Sequence, residues 1–272
     1  MKESITTQGI QNKVKNIAEE FVVFVNSNKT FHDTNGELML LLNKISSNIQ
    51  AAMLLSSRML FSESKIIIRS AFETLILFIY LIEFPKEINH YKEDNLISEI
   101  KTIYMCYKQG FAKLQDVINC YEKYKNKFLL KILPFEKIDN KEIKNNNEKE
   151  IEKYFNSHKP LSQKTTFMIG KLKERNYFLS NHLSLLRVLI YNLNSEVTHS
   201  RLDTLFLPLG NLNKDETLKE LQNCFWQSAS LFHSIIEVLK EKCDYQPPEK
   251  LKNLILETMQ YLKIYPTFNL YK

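Results

Sequence analysis

The sequence predicts an all-α fold, a multi-helix bundle, and three of its features lead there. Five glycines and seven prolines in 272 residues leave few places for tight turns. Leu, Ile, Lys and Glu dominate long stretches, as helices favour. Apolar residues recur at three- and four-residue steps, and no two neighbouring stretches alternate as paired strands would. A chain of this length can bury a sizeable core. The expected organisation is a single all-α domain over residues 1–272, with 137–160 an exposed insertion or linker.

The elements follow in order. Ile10, Val14, Ile17, Phe21 and Phe24 predict a helix over 8–27. The polar stretch "NSNKTFHDTNG" interrupts it. Leu38, Leu41, Leu42, Ile45, Ile49 and Met53 share one face of a helix over 36–61. The next helix, 63–83, contains "IIIRSAFETLILFIYLI" and stops before Pro85, whose ring cannot continue a helical ladder. It is too short and too charged in its first half for a membrane span, so it reads as a core helix. Residues 88–132 are helical with a break near Gly110. The segment 137–160 is hydrophilic and Asn-rich, expected to be mobile or weakly helical. Helices are predicted over 162–175, 179–203 and 214–242, the last with Asn213 and Glu216 as an N-cap pair. Pro247 and Pro248 open a final helix and Pro266 closes it.

Composition narrows the function classes. The glycines are too scattered to build a phosphate-cradling loop, which argues against P-loop and dinucleotide folds. The formal net charge of +6 permits an anionic partner without demonstrating one. Lys outnumbers Arg heavily, so Arg58, Arg69, Arg175, Arg187 and Arg201 are candidates for specific, forked hydrogen bonds. Cys106, Cys120, Cys224 and Cys243 lack metal-type spacing and read as ordinary thiols of a reducing compartment. The first residues carry no apolar run of a signal peptide, so the expected location is cytoplasmic.

Two constellations stand out. Arg69 and Glu73 lie one turn apart in an otherwise apolar helix. A buried charge needs a partner, so they either form a register-fixing ion pair or present an Arg to a polar pocket. The helix at 179–203 contains "RVLIYNLNSEVTHSR". Leu186, Leu189, Ile190, Leu193 and Val197 form its apolar stripe. Tyr191, Ser195 and His199 step by four, and Asn192, Ser195, Glu196 and His199 share a second face. Arg187 precedes this group and Arg201 follows it. Imidazole is suited to proton transfer near neutral pH, and Glu196 is placed to orient it. The plainer alternative is a network histidine near a helix end. His233 is expected to pack beside Trp226, and His32, His90, His158 and His182 to be solvated.

Together, "RSAFETLILFIYL" and "YNLNSEVTHSR" resemble a bacterial helical domain family of unknown function, family 5677, over about residues 60–84 and 160–205. That family is similar to the HEPN superfamily of helical, often dimeric domains. Many of those are metal-independent ribonucleases of toxin–antitoxin and antiphage defence systems. The usual HEPN motif sets Arg and His a few residues apart on one helix. Here Arg187 and His199 are further apart, and Arg69 is on another helix.

The resemblance implies a ribonuclease in which the ribose 2′-hydroxyl is the nucleophile and His199 the base. Arg69, held by Glu73, or else Arg201 would be the phosphate-binding cation, with Tyr191 and Ser195 as hydrogen-bond donors. Arg187, Arg201, Asn192 and Glu196 would contact substrate. No metal or other cofactor is expected. The implied partners are RNA, a second copy of the chain, and an antitoxin or other defence-system protein; neither DNA nor a membrane is expected.

Two rival readings stay open. In the first, the bundle is a non-catalytic binding or assembly module, with Arg69–Glu73 and Ser195–His199 as structural networks. In the second, Glu87-x-x-His90 and Glu196-x-x-His199 supply the ligand spacing of helical di-iron proteins, although the first pair sits in a charged run.

Overall fold

In a computed structural model of the chain, the described residues are 7–26, 36–128, 145–158, 160–161, 164–198, 214–243 and 248–261. Among them are ten α-helices and no strand. We number these α1 (Thr7–Asn26), α2 (Gly36–Ser57), α3 (Phe61–Glu83), α4 (Glu87–Lys108), α5 (Leu114–Phe128), α6 (Asn145–Ser157), α7 (Thr165–Glu174), α8 (Ser180–Thr198), α9 (Lys214–Cys243) and α10 (Glu249–Tyr261). The expected all-α bundle is therefore observed. Asn213, the proposed cap of α9, and Pro266 lie outside the described residues.

The chain divides into two compact units. One comprises Met1–Glu83 and Thr166–Lys272, the other Phe84–Thr165.

Helix α3 is the axis of the first unit. Every residue from Thr74 to Leu81 is buried, so this half of the helix is enclosed on all sides. It packs against α2, α8 and α9. Against α2, the contact is close enough for Ser64 Oγ to donate to the Ala52 carbonyl at 2.8 Å. Against α9, two ion pairs fix the register. Lys65 Nζ meets Glu220 Oε2 at 2.8 Å, and Lys242 Nζ meets Glu83 Oε1 at 2.6 Å. Residue numbers rise together along both helices in these pairs, so α3 and α9 run parallel. Helix α1 adds Phe21, whose ring centroid lies 4.4 Å from that of Phe232 on α9. Helix α2 is long and apolar enough to cross a membrane by length and composition, with half of its most apolar window buried inside the protein.

Three helices end the same way. Met59 (φ 62°), Gly110 (φ 79°) and Asn176 (φ 52°) each take the left-handed conformation just past α2, α4 and α7. Each amide reaches back to a carbonyl three residues earlier, and the next amide reaches five back, as in Leu60 N–H to the Leu55 carbonyl at 2.9 Å. Gly has no Cβ penalty there and Asn tolerates it, whereas Met59 carries a cost of about 1 kcal/mol. This turn stops α2 at Ser57, short of the expected residue 61.

The second unit surrounds its own core. Ile97, Ile100 and Tyr104 of α4 pack with Val117, Tyr121 and Tyr124 of α5 and with Ile151 and Phe155 of α6. The segment 137–160, expected to be exposed, thus contributes two buried side chains one turn apart. Only a narrow apolar stripe is needed when a helix covers one edge of a small core. Lys108 Nζ binds Glu148 Oε1 at 2.5 Å and Glu152 Oε1 at 3.0 Å, tying α4 to α6.

Candidate functional site

The site lies where α3 meets α8. The i, i+4 spacing on α3 places Arg69 Nε 3.1 Å from Glu73 Oε1. Their side chains are 24% and 35% exposed, so the pair sits at the rim of the core rather than inside it. The apolar face of α3 turns inward and carries the charges to its one partly open side.

Tyr191 of α8 completes the group. Its hydroxyl donates to Glu73 Oε1 at 2.7 Å, across 118 residues of sequence. One carboxylate oxygen therefore accepts both the Arg69 Nε–H and the Tyr191 O–H. The Arg69 guanidinium carbon lies 4.5 Å from the Tyr191 ring centroid. That of Arg187, one turn earlier on α8, lies 5.5 Å from it. Phe72 meets the same ring edge-on, with centroids 6.3 Å apart. The result is a phenol ring beside two cations, its hydroxyl tied to one anion. Cation–ring attraction offsets part of the repulsion between the guanidinium groups. Arg187 Nε is buried with no hydrogen-bond partner among the described residues.

Of the residues singled out from the sequence, Arg69, Glu73, Tyr191 and Arg187 thus converge. The backbone of α8 is helical through Thr198, so Ser195 lies one turn beyond Tyr191. The side chains of Asn192, Ser195 and Glu196 lie outside the described residues, as do His199 and Arg201 entirely.

Sequence reasoning missed two histidine clusters. His182, expected to be solvated, is half-buried, and its ring meets that of His233 at 6.2 Å and 83°. Burial pushes both imidazoles from their ordinary 6.5 down to about 4, so they are neutral at physiological pH. For His182 the neighbouring His233 adds to this, and for His233 Lys240 does. His182 stands on α8 three residues after Leu179 and one before Leu183, and that apolar setting was the available signal.

In the second unit, Asp94 is 2% exposed and its Oδ2 accepts the Leu161 N–H at 2.6 Å. Its Oδ1 lies 2.9 Å from His158 Nε2 and 3.6 Å from His90 Nε2. His158 also stacks on Tyr154. So His158, too, is not a solvated residue; a buried carboxylate draws it in. The spacing of His90 and Asp94, four apart on α4, was legible but passed over.

Other chemistries find less support. Among the described residues no group of three or more His, Cys, Asp or Glu side chains is placed to hold a metal ion. Cys106, Cys120 and Cys224 are free thiols. Burial pushes the Cys224 thiol up to about 11, which keeps it protonated and a poor nucleophile at neutral pH.

Neither a curated protein nor a solved structure matches the chain. One family profile does, over residues 38–217, and it is described as a family of unknown function, DUF5677. The matched stretch holds α3 and α8 and so both helices of the Arg69–Glu73–Tyr191 cluster. The chain belongs to the DUF5677 family of unknown function.

Proposed function

We propose that the protein is a HEPN-like, metal-independent ribonuclease of bacterial defence or stress response, acting in the cytoplasm as a homodimer. The observation that supports this is the convergence of Arg69, Glu73 and Tyr191 from two helices, with α8 continuing towards His199. Cleavage by the ribose 2′-hydroxyl needs a base to take its proton and a cation to meet the phosphate. His199 is the base and Arg69 a cation, with Glu73 holding Arg69 in one orientation. Tyr191 and Ser195 supply hydrogen bonds. An antitoxin or other defence-system protein would hold the activity in check.

A second reading has its own support. Glu73 Oε1 already accepts two hydrogen bonds, as expected for a structural network that fixes α3 against α8. The protein would then be a binding or assembly module.

Incubation of purified protein with total RNA and tRNA in EDTA separates the two. The ribonuclease reading expects cleavage by the wild type and none by His199→Ala. Equal cleavage by both would remove His199 from the mechanism. No cleavage by either would favour the binding module.

A further inference from the structure

We propose that Glu73 is a brake on the site, a resident anion that a substrate phosphate has to displace from Arg69. That the phosphate belongs to RNA, and that Arg69 is its cation, rests on the ribonuclease reading above. The observed pair is then the resting state of the site.

Glu73 Oε1 takes the Arg69 Nε–H at 3.1 Å. A carboxylate and a phosphodiester offer a guanidinium the same thing, a pair of oxygens sharing negative charge. Glu73 therefore occupies an edge of Arg69 that a phosphate would use. The two anions also repel each other, so one guanidinium does not hold both at full strength.

The pair is open to a ligand, because its side chains are 24% and 35% exposed. That exposure also sets its strength. An i, i+4 ion pair at a partly open rim is weak, so a phosphate can break it. A sealed pair would resist, since opening it strands a buried charge.

Tyr191 supplies the second state. Its hydroxyl donates to the same Oε1 at 2.7 Å. When Arg69 turns to a phosphate, Glu73 keeps that donor. The Tyr191 ring lies 4.5 Å from the Arg69 guanidinium carbon, so Arg69 keeps an attractive surface as it gives up the carboxylate. Phe72, edge-on to the ring, steadies it from α3. Tyr191 thus stabilises the two charges apart as well as together. The apparent affinity for phosphate falls by the fraction of molecules in which Arg69 has left Glu73.

Glu73→Gln separates a brake from a purely positioning residue. The amide oxygen still accepts from Arg69 and Tyr191, but the charge is gone. Binding to the full chain is measured with two probes. One is an oligoribonucleotide with 2′-O-methyl groups, which lacks the nucleophile and is bound without being cut, followed by fluorescence anisotropy. The other is inorganic phosphate, followed by titration calorimetry. Glu73→Gln is expected to bind both about five-fold more tightly, the solvent-exposed value for one such charge pair. The gain should exceed that of Glu63→Gln, an exposed acid in the first turn of the same helix, and shrink to that level when Arg69→Ala is added. Tyr191→Phe removes the alternative donor to Glu73 and should weaken binding, an effect that vanishes in the Glu73→Gln background. Thermal unfolding checks that each variant is folded.

Unchanged or weaker binding of both probes in Glu73→Gln would overturn the proposal, as would no binding by any variant. So would a gain that survives Arg69→Ala or that Glu63→Gln reproduces. If Glu73→Gln does not fold, unchanged or tighter binding by Tyr191→Phe would overturn it. A gain for phosphate alone, with no variant binding the oligoribonucleotide, would support the brake while removing the RNA reading. A gain for both probes without cleavage of natural RNA would support the brake as well, and would leave the ribonuclease reading to fail separately.

Discussion

Acid should destabilise the fold through His182 and His233. Both rings are held neutral by burial, with pKa values near 4 against 6.5 when exposed. Between those values the unfolded chain binds more protons than the folded one, so stability falls as pH falls. It is fully present above about 6.5, declines through that window, and reaches its full loss below about 4. At pH 5 the unfolded rings are almost wholly protonated and the folded ones almost wholly neutral. With about 1.4 kcal/mol per pH unit of displacement, each ring then costs about 2 kcal/mol and the pair about 4. That is a large part of a total of about 5–15 kcal/mol for a typical domain. Urea unfolding at about pH 7.5 and about pH 5 measures the loss, and the double variant His182→Gln, His233→Gln isolates its source. Wild type should lose about 4 kcal/mol more than the variant over this interval. Equal losses in the two proteins would refute the assignment.

Two further outcomes follow from the geometry. Tyr191→Phe keeps the ring beside both arginines but removes the donor to Glu73. Because Glu73 is half-exposed and keeps Arg69, the cost should be about 1 kcal/mol, read from the urea midpoint; a loss above about 3 would mean that the hydroxyl supports more than this one bond. Asp94→Asn weakens the acceptor for the Leu161 N–H and the attraction for His158. It should cost about 2 kcal/mol and speed hydrogen exchange at the Leu161 amide, whereas unchanged exchange there would show that Asp94 does not hold that segment.

The helices were legible because their signals are local. Apolar residues at three- and four-residue steps placed α1, α2 and α3 within a few residues of their observed ends. Pro85 marked one stop and Gly110 another. Met59 was invisible as a terminator because nothing in its side chain favours the left-handed turn that it makes. The Arg69–Glu73 pair was legible for the same local reason, being four apart on one helix. Its degree of exposure was not, since that depends on how α8 packs. The Tyr191 bond to Glu73 and the His182–His233 contact join helices distant in sequence, and periodicity carries no information about which faces meet. Residues 145–157 show the converse error: a polar composition concealed the apolar stripe of Ile151 and Phe155.

The interruption of the first unit by residues 84–165 has a consequence for synthesis. Helix α3 leaves the ribosome long before α8, and α9 follows later still. At about 5–20 residues per second, the 118 residues between Glu73 and Tyr191 delay their meeting by roughly ten seconds. Throughout that interval α2 can cover only one side of α3, and the apolar run Thr74–Leu81 has no full enclosure. The nascent chain thus presents a sticky helix while the intervening unit, whose core is local, can already fold. A chaperone that binds exposed apolar helices would find its best purchase there, and slow codons between residues 84 and 165 would lengthen the exposure rather than relieve it.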